Sequence, residues 1–231
     1  MPLTNKVVLI TGANGGLGGA VTNAFLEAGA RVAGVARKIQ DSDFPHPNFM
    51  AYSAELGSGD AASAMAAAVV ARWKKIDVLV HLVGAFAGGK SVAETDQATF
   101  DQMLDVNLHA AFHVFRAVLP AMRAQGAGRI LAIGSRTAID PQPMVGAYSA
   151  SKAALVSLVR TVALENKDRG ISANVLLPGT MDTPANRAAM PGADPAKWVQ
   201  PAQVASLLVH LASDQASQVS GAVIPILGGD L

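Results

Sequence analysis

The chain predicts a doubly wound α/β fold, a single domain over residues 1–231 on a mainly parallel sheet of about seven strands. Three observations carry this. Short apolar runs rich in β-formers alternate with longer stretches of helical apolar spacing. The strand runs lack polar alternation, the mark of strands covered by helices on both faces. A chain of 231 residues with 51% apolar content has material for one buried core.

In chain order, residues 6–11, 31–35, 77–83, 129–134, 172–177 and 222–227 read as strands, with a weaker one at 48–53. Between them, residues 17–28, 60–74, 98–124, 147–166 and 202–212 carry apolar residues at helical spacing, several ending near glycine as helix stops do. Such βαβ alternation demands right-handed crossovers between parallel strands. Ligands of such sheets bind beyond the carboxyl ends of the strands, so the residues just after each strand carry the functional expectation. Residues 180–200 hold Pro184, Pro191, Gly192 and Pro195, which interrupt any long helix, and Met181, Met190 and Trp198, which offer apolar contact. This segment is expected to form a mobile lid over a substrate.

Composition narrows the partners. The net charge of +1, from 18 basic and 17 acidic residues spread along the chain, leaves no basic stripe for a nucleic acid. The absence of cysteine excludes disulfides and thiolate metal sites, and no metal is expected. The opening residues lack a signal-peptide pattern and no apolar span is long enough for a membrane, so a cytoplasmic protein with no membrane partner is expected.

After the first strand comes Thr11-Gly12-Ala13-Asn14-Gly15-Gly16-Leu17-Gly18, running straight into a helical pattern. Glycines let backbone N–H groups approach an anion, and the new helix adds the positive end of its dipole. A bland strand-to-helix turn also uses glycine; position after a strand favours a dinucleotide pyrophosphate. Tyr148 and Lys152 lie four apart on one helix face and can share a site. A phenol with a pKa of about 10 needs a nearby cation to work near neutral pH. The plain alternative is a half-buried aromatic and a solvated lysine. Ser135 falls just after a strand, where its hydroxyl can meet a substrate oxygen, and Asn107 sits inside an apolar helical stretch where a buried amide needs partners. A turn serine and a satisfied core asparagine are the bland readings of those two.

Taken together, TGANGGLG at 11–18, Asn107 in DVNL, Ser135 in IGSRTA, YSASK at 148–152 and LPGT at 177–180 followed by Asp182-Thr183-Pro184 resemble the short-chain dehydrogenase/reductase family across essentially the whole chain. The resemblance implies a Rossmann-like domain that reduces a small-molecule carbonyl with NADPH or NADH. By it, Tyr148 is the acid/base, Lys152 lowers its pKa and holds the nicotinamide ribose, Ser135 positions the carbonyl, and Asn107 supports a water-linked proton relay to Lys152. The same likeness places Gly12, Asn14, Gly16, Leu17, Gly18 and Gly84 around the cofactor, Pro178, Gly179, Thr180 and Thr183 at its nicotinamide and phosphate end, and Glu55 and Leu56 near the adenine. A homo-oligomer, a tetramer or a dimer, is implied too, with the apolar run 223–227 as a further pointer.

Arg37 after neutral Ala36 ends the second strand, where an acidic residue would repel a 2′-phosphate, so NADP is the expected cofactor with NAD possible. One departure is His81-Leu82-Val83-Gly84 where many members have Asn-Asn-Ala-Gly; His81 is expected to substitute in strand-end hydrogen bonding rather than in catalysis. Residues 84–89 and 182–191 resemble dihydropteridine reductases locally, which leaves that activity as an alternative to a general ketoreductase, including one acting on 3-oxoacyl thioesters. A methyltransferase would not need Tyr148, Lys152 and Ser135 together. A catalytically silent dinucleotide sensor is the alternative from outside enzymology.

Overall fold

A computed structural model describes residues 3–229; residues 1, 2, 230 and 231 of the expected domain lie outside the described residues. Seven strands form one sheet: β1 (Val7–Thr11), β2 (Arg31–Ala36), β3 (Phe49–Ser53), β4 (Val78–His81), β5 (Gly128–Ile133), β6 (Ile171–Pro178) and β7 (Val223–Ile226). Their spatial order is β3-β2-β1-β4-β5-β6-β7. Every pairing is parallel, so the expectation of a mainly parallel sheet becomes an all-parallel one. The weak strand expected at 48–53 is β3, one edge of the sheet.

The uninterrupted apolar strands have two faces to fill. On one face Val7, Leu9, Leu79, Ile130 and Ala132 pack with Met65, Val114, Phe115 and Leu155, from the helices α2 (Gly59–Trp73), α4 (Ala110–Gln125) and α5 (Gly146–Asn166). On the other, Val8, Ile10, Val80 and Leu131 pack with Val21, Phe25, Val204 and Leu208, from α1 (Gly18–Glu27) and α7 (Pro201–Ala212). Adjacent residues of β1 therefore serve opposite cores, which is why its five residues are all buried. At the far edge, β7 is only half buried and carries Pro225, a residue an edge strand tolerates because one side of its backbone has no ladder to complete.

The helix expected over 98–124 is broken. It runs as α3 (Gln97–Leu104), a π-helical turn Asp105–His109, and α4. The wide turn falls on Asn107, and such bulges re-aim side chains that a regular helix would place elsewhere.

The strand order reverses between β1 and β4, and their carboxyl ends are pinned together there. Thr11 Oγ1 and His81 Nδ1 are 2.9 Å apart and both residues are fully buried. The ring stands edge-on to Phe115, 5.8 Å between centroids, and Nε2 has no hydrogen-bond partner. Burial, with the Lys152 charge adding to it, pushes the imidazole down to about 3, so His81 stays neutral. It serves strand-end hydrogen bonding and does not line the cleft described next.

Candidate active site

A cleft of about 1870 Å³ opens at this reversal, above the carboxyl ends of the strands. It is lined by Gly12, Asn14, Gly16, Leu17 and Gly18 of the first turn, Arg37 after β2, Glu55 and Leu56 after β3, and Gly84 after β4. Ser135 after β5, Tyr148 and Lys152 of α5, and Pro178, Gly179, Thr180 and Thr183 after β6 complete it. Of the residues singled out from sequence for catalysis or cofactor binding, Asn107 alone is not on this wall.

The glycine turn is shaped by backbone crowding. Gly12 has φ +75°, a left-handed conformation, and a Cβ on Gly18 would run into the carbonyl of Gly12. No side chain caps the start of α1, so its first-turn N–H groups are not claimed by a capping residue. Asn14 donates from Nδ2 to the Lys38 carbonyl at 2.6 Å, tying the turn to the exposed loop that carries Arg37 and Lys38. Across the cleft, a Cβ on Gly16 would lie 3.1 Å from Thr183 Cγ2, so the glycine lets the two walls approach. Backbone donors, a helix start and Arg37 make a cradle that fits a dinucleotide phosphate.

Tyr148 and Lys152 share one side of α5 as their spacing predicts, with the ammonium 5.9 Å from the phenol ring centroid. Lys152 is 4% exposed and donates to the Ile133 carbonyl at 3.0 Å. Burial lowers the ammonium to about 8. Burial also raises the Tyr148 phenol above its ordinary value, against the opposing effect of a hydrogen bond with Ser135. The resemblance implied that Lys152 lowers the Tyr148 pKa. The ammonium stands over the ring that carries this phenol, so its position fits that role. Tyr148 is protonated at neutral pH and can give up a proton. Ser135 caps a short 3₁₀ turn, Arg136–Ala138, accepting from the Thr137 N–H at 3.3 Å with its hydroxyl 3.1 Å from that of Thr137, which holds it on the cleft wall that Tyr148 shares.

Asn107 does something sequence alone does not disclose. Its side chain spends its polar atoms on Ala85 and on Ser151 Oγ, the latter at 3.0 Å, and it makes no hydrogen bond to Lys152. The two groups meet over Gly84, where a Cβ would lie 2.9 Å from both Asn107 Oδ1 and Lys152 Nζ. Two neighbours escaped the sequence reading. Ser151 joins Asn107 to the Tyr148 carbonyl, and Phe86 stands edge-on to the Tyr148 ring at 5.0 Å. The phenylalanine sits beyond the glycine of a loop with no helical or strand pattern, so only contact discloses it.

The segment after β6 is anchored at both ends. Met181 and Val199 form a parallel bridge, Thr183 caps the short helix α6 (Pro184–Ala189), and Asp182 holds Arg187 through both carboxylate oxygens. Met181 and Met190 face the cleft, but Trp198 does not: it is 7% exposed and belongs to the anchor. The expected apolar contact from Trp198 over substrate is thus corrected, because the Val199 pairing with Met181 draws its neighbour into the body of the protein.

A parallel Rossmann sheet, a glycine cradle at its switch point and a Ser-Tyr-Lys cluster define a dinucleotide-dependent oxidoreductase. Residues 6–193 match the family described as short chain dehydrogenase. The chain belongs to the short-chain dehydrogenase/reductase family of NAD(P)-dependent oxidoreductases. It is 32% identical over 244 residues to the 3-oxoacyl-[acyl-carrier-protein] reductase of Thermotoga maritima, covering 99% of each chain. It is 31% identical over 245 residues to a 2-dehydro-3-deoxy-D-gluconate 5-dehydrogenase of Pseudoalteromonas atlantica, covering 98% of this chain and 96% of that one. Among solved structures, a 3-ketoacyl-(acyl-carrier-protein) reductase from Brucella melitensis complexed with NADH superposes with a TM-score of 0.88 at 25% identity, covering 99% of both chains. Relatives of near-equal likeness are thus named for different substrates, and likeness does not choose between them. No helix among the described residues is long and apolar enough to cross a membrane.

Proposed function

We propose that this protein reduces a small-molecule carbonyl with NADPH. The observation that carries the reading is the cluster in which Ser135, Tyr148 and Lys152 line the same cleft as the glycine cradle, with the Lys152 ammonium 5.9 Å from the phenol ring centroid. A bound dihydronicotinamide supplies the hydride. Tyr148, protonated at neutral pH, hands its proton to the carbonyl oxygen, and Ser135 donates to the same oxygen as its negative charge grows. Lys152 holds the ribose and keeps a positive charge near the phenol. Asn107 acts by fixing the loop at Ala85, leaving any water-linked relay to its backbone.

NADPH is favoured over NADH because Arg37 and Lys38 line the cleft after β2 with no acidic residue at Ala36. The site is also compatible with NAD. A general ketoreductase, including one for 3-oxoacyl thioesters, fits better than a dihydropteridine-reductase-like enzyme, since that alternative rests on residues 84–89 and 182–191 while Ser135 engages Tyr148. Residues 184–197 act as the moving part of a lid hinged at the Met181–Val199 bridge. The assembly is a homo-oligomer, a tetramer or dimer, supported by the half-buried edge strand β7 and by Phe112 and Leu164, exposed on α4 and α5. A cytoplasmic site of action completes the reading. The deciding experiment is a panel of ketones, 3-oxoacyl thioesters and quinonoid dihydropterins followed by NADPH absorbance. Turnover of a ketone sustains the proposal and removes the silent redox sensor; turnover of the pterin alone replaces it.

A further inference from the structure

Phe86 is 67% exposed, an unfavourable position for so large an apolar ring beside a reaction centre. It lines the main cleft and also a second cavity of about 360 Å³ behind it, bounded by the loop after β4 and by the segment leading into α5. The wall of this cavity is Phe86, Ala87, Met144, Val145 and Ala147. Three polar side chains reach it. Lys90 is paired with Asp96 at 3.1 Å, Thr95 donates to the Ser91 carbonyl at 2.8 Å, and Thr99 brings an uncharged hydroxyl. An anionic ligand would have to compete with Asp96 for the one cation.

The cavity is also constructed rather than accidental. The Gly89 N–H donates to the Met144 carbonyl at 2.8 Å, stitching its two walls together. Met144 pays for this with φ +66°, a left-handed conformation rare for a residue with a side chain. A Cβ on Gly88 would lie 2.8 Å from Phe86 Cζ and 2.9 Å from Val145 Cγ1, so the glycine keeps the opening clear.

We propose that this second cavity takes the uncharged, apolar part of the substrate, a ring or branched alkyl group attached to the reducible carbonyl, with Phe86 as the surface on which it stacks. The proposal rests on the reduction reading above for its account of the carbonyl. Phe86 lines both cavities and meets the Tyr148 ring edge to face, so a group stacked on it lies next to the phenol. Among the residues that line this cavity Lys90 carries the one charge, and its ammonium is paired with Asp96, which favours an uncharged group here.

The test compares 2-tetralone, a bicyclic apolar ketone, with 2-butanone as substrates of the intact protein with NADPH. Removing the stacking surface (Phe86→Ala) and filling the cavity from the opposite wall (Thr99→Phe) should each lower the ratio of kcat/KM for 2-tetralone over 2-butanone by about tenfold or more. Calorimetry then measures 2-tetralone binding to Tyr148→Phe protein loaded with NADP⁺, with and without Phe86→Ala, and the added substitution should weaken binding to a similar degree. An unchanged ratio in both variants, with unchanged binding, overturns the cavity's role while leaving reduction intact. Binding that depends on Phe86 in a protein that reduces no ketone overturns the reduction reading and sustains the cavity.

Discussion

Asn107 grips Ala85 from both sides: Oδ1 accepts the Ala85 N–H at 2.9 Å and Nδ2 donates to the Ala85 carbonyl at 3.0 Å. The amide thus completes a backbone segment that has left β4 and has no strand partner, and the π turn at 105–109 is what brings it there. Because Gly84 and Phe86 flank the gripped residue, this pair of bonds sets one wall of the active site. Asn107→Ala should cost on the order of 1–3 kcal/mol, since it strands buried backbone groups. Denaturant unfolding measures the loss, and hydrogen exchange should show faster exchange at the Ala85 amide. Unaltered exchange there would mean that the loop holds itself.

Tyr148→Phe removes the transferable proton and leaves the edge-on contact with Phe86 in place. We expect kcat to fall by about 10²–10⁴-fold with NADPH affinity retained. Near-parent turnover in a folded variant would remove Tyr148 from the chemistry.

Lys152 predicts a pH dependence of cofactor binding. Its pKa falls from an ordinary 10.5 to about 8, so the folded protein loses this proton as pH rises through about 8 while the unfolded chain still holds it. Folding stability therefore gains from this group between about 8 and 10.5, and its burial penalty is fully present below about 8. The cation is what the cofactor meets, so NADPH Kd should rise above about pH 8 in the parent and lose that rise in Lys152→Met. A parent Kd that stays flat through this range would dismiss Lys152 as a cofactor ligand.

Ala36→Asp combined with Arg37→Ala places an anion where the 2′-phosphate is expected and takes its cation away. The kcat/KM ratio of NADPH over NADH should fall by about tenfold or more, chiefly through weaker NADPH binding. A parent that prefers NADH, or an unmoved ratio, assigns selection to some other residue.

His81 predicts acid sensitivity. Its pKa is depressed from 6.5 to about 3, so below pH 6.5 the unfolded chain takes up a proton that the folded protein refuses. Stability should decline by up to about 1.4 kcal/mol per pH unit from pH 6.5 toward 3. His81→Asn, which has no proton to take up, should flatten this limb in denaturant unfolding measured across pH; an identical slope would place the sensitivity elsewhere.

The fold was legible in the sequence because its signals are local. Short apolar runs that alternate with helical spacing mark strands buried on two faces, and the glycines at 12 and 18 answer a steric demand that neighbouring backbone imposes. The Tyr148–Lys152 pairing follows from helical geometry in the same way, and the placement of Arg37 and Ser135 at the cleft follows from their position just past a strand. What the sequence could not decide depends on which distant segments meet. The sharing of Asn107 between Ala85 and Ser151, the meeting of Phe86 with Tyr148, the pinning of His81 to Thr11 and the withdrawal of Trp198 from the cleft each join residues with no periodic relation along the chain. Local periodicity and sterics specify elements; the direction in which a side chain finds its partner is settled only when the sheet order and the π turn have brought the segments together.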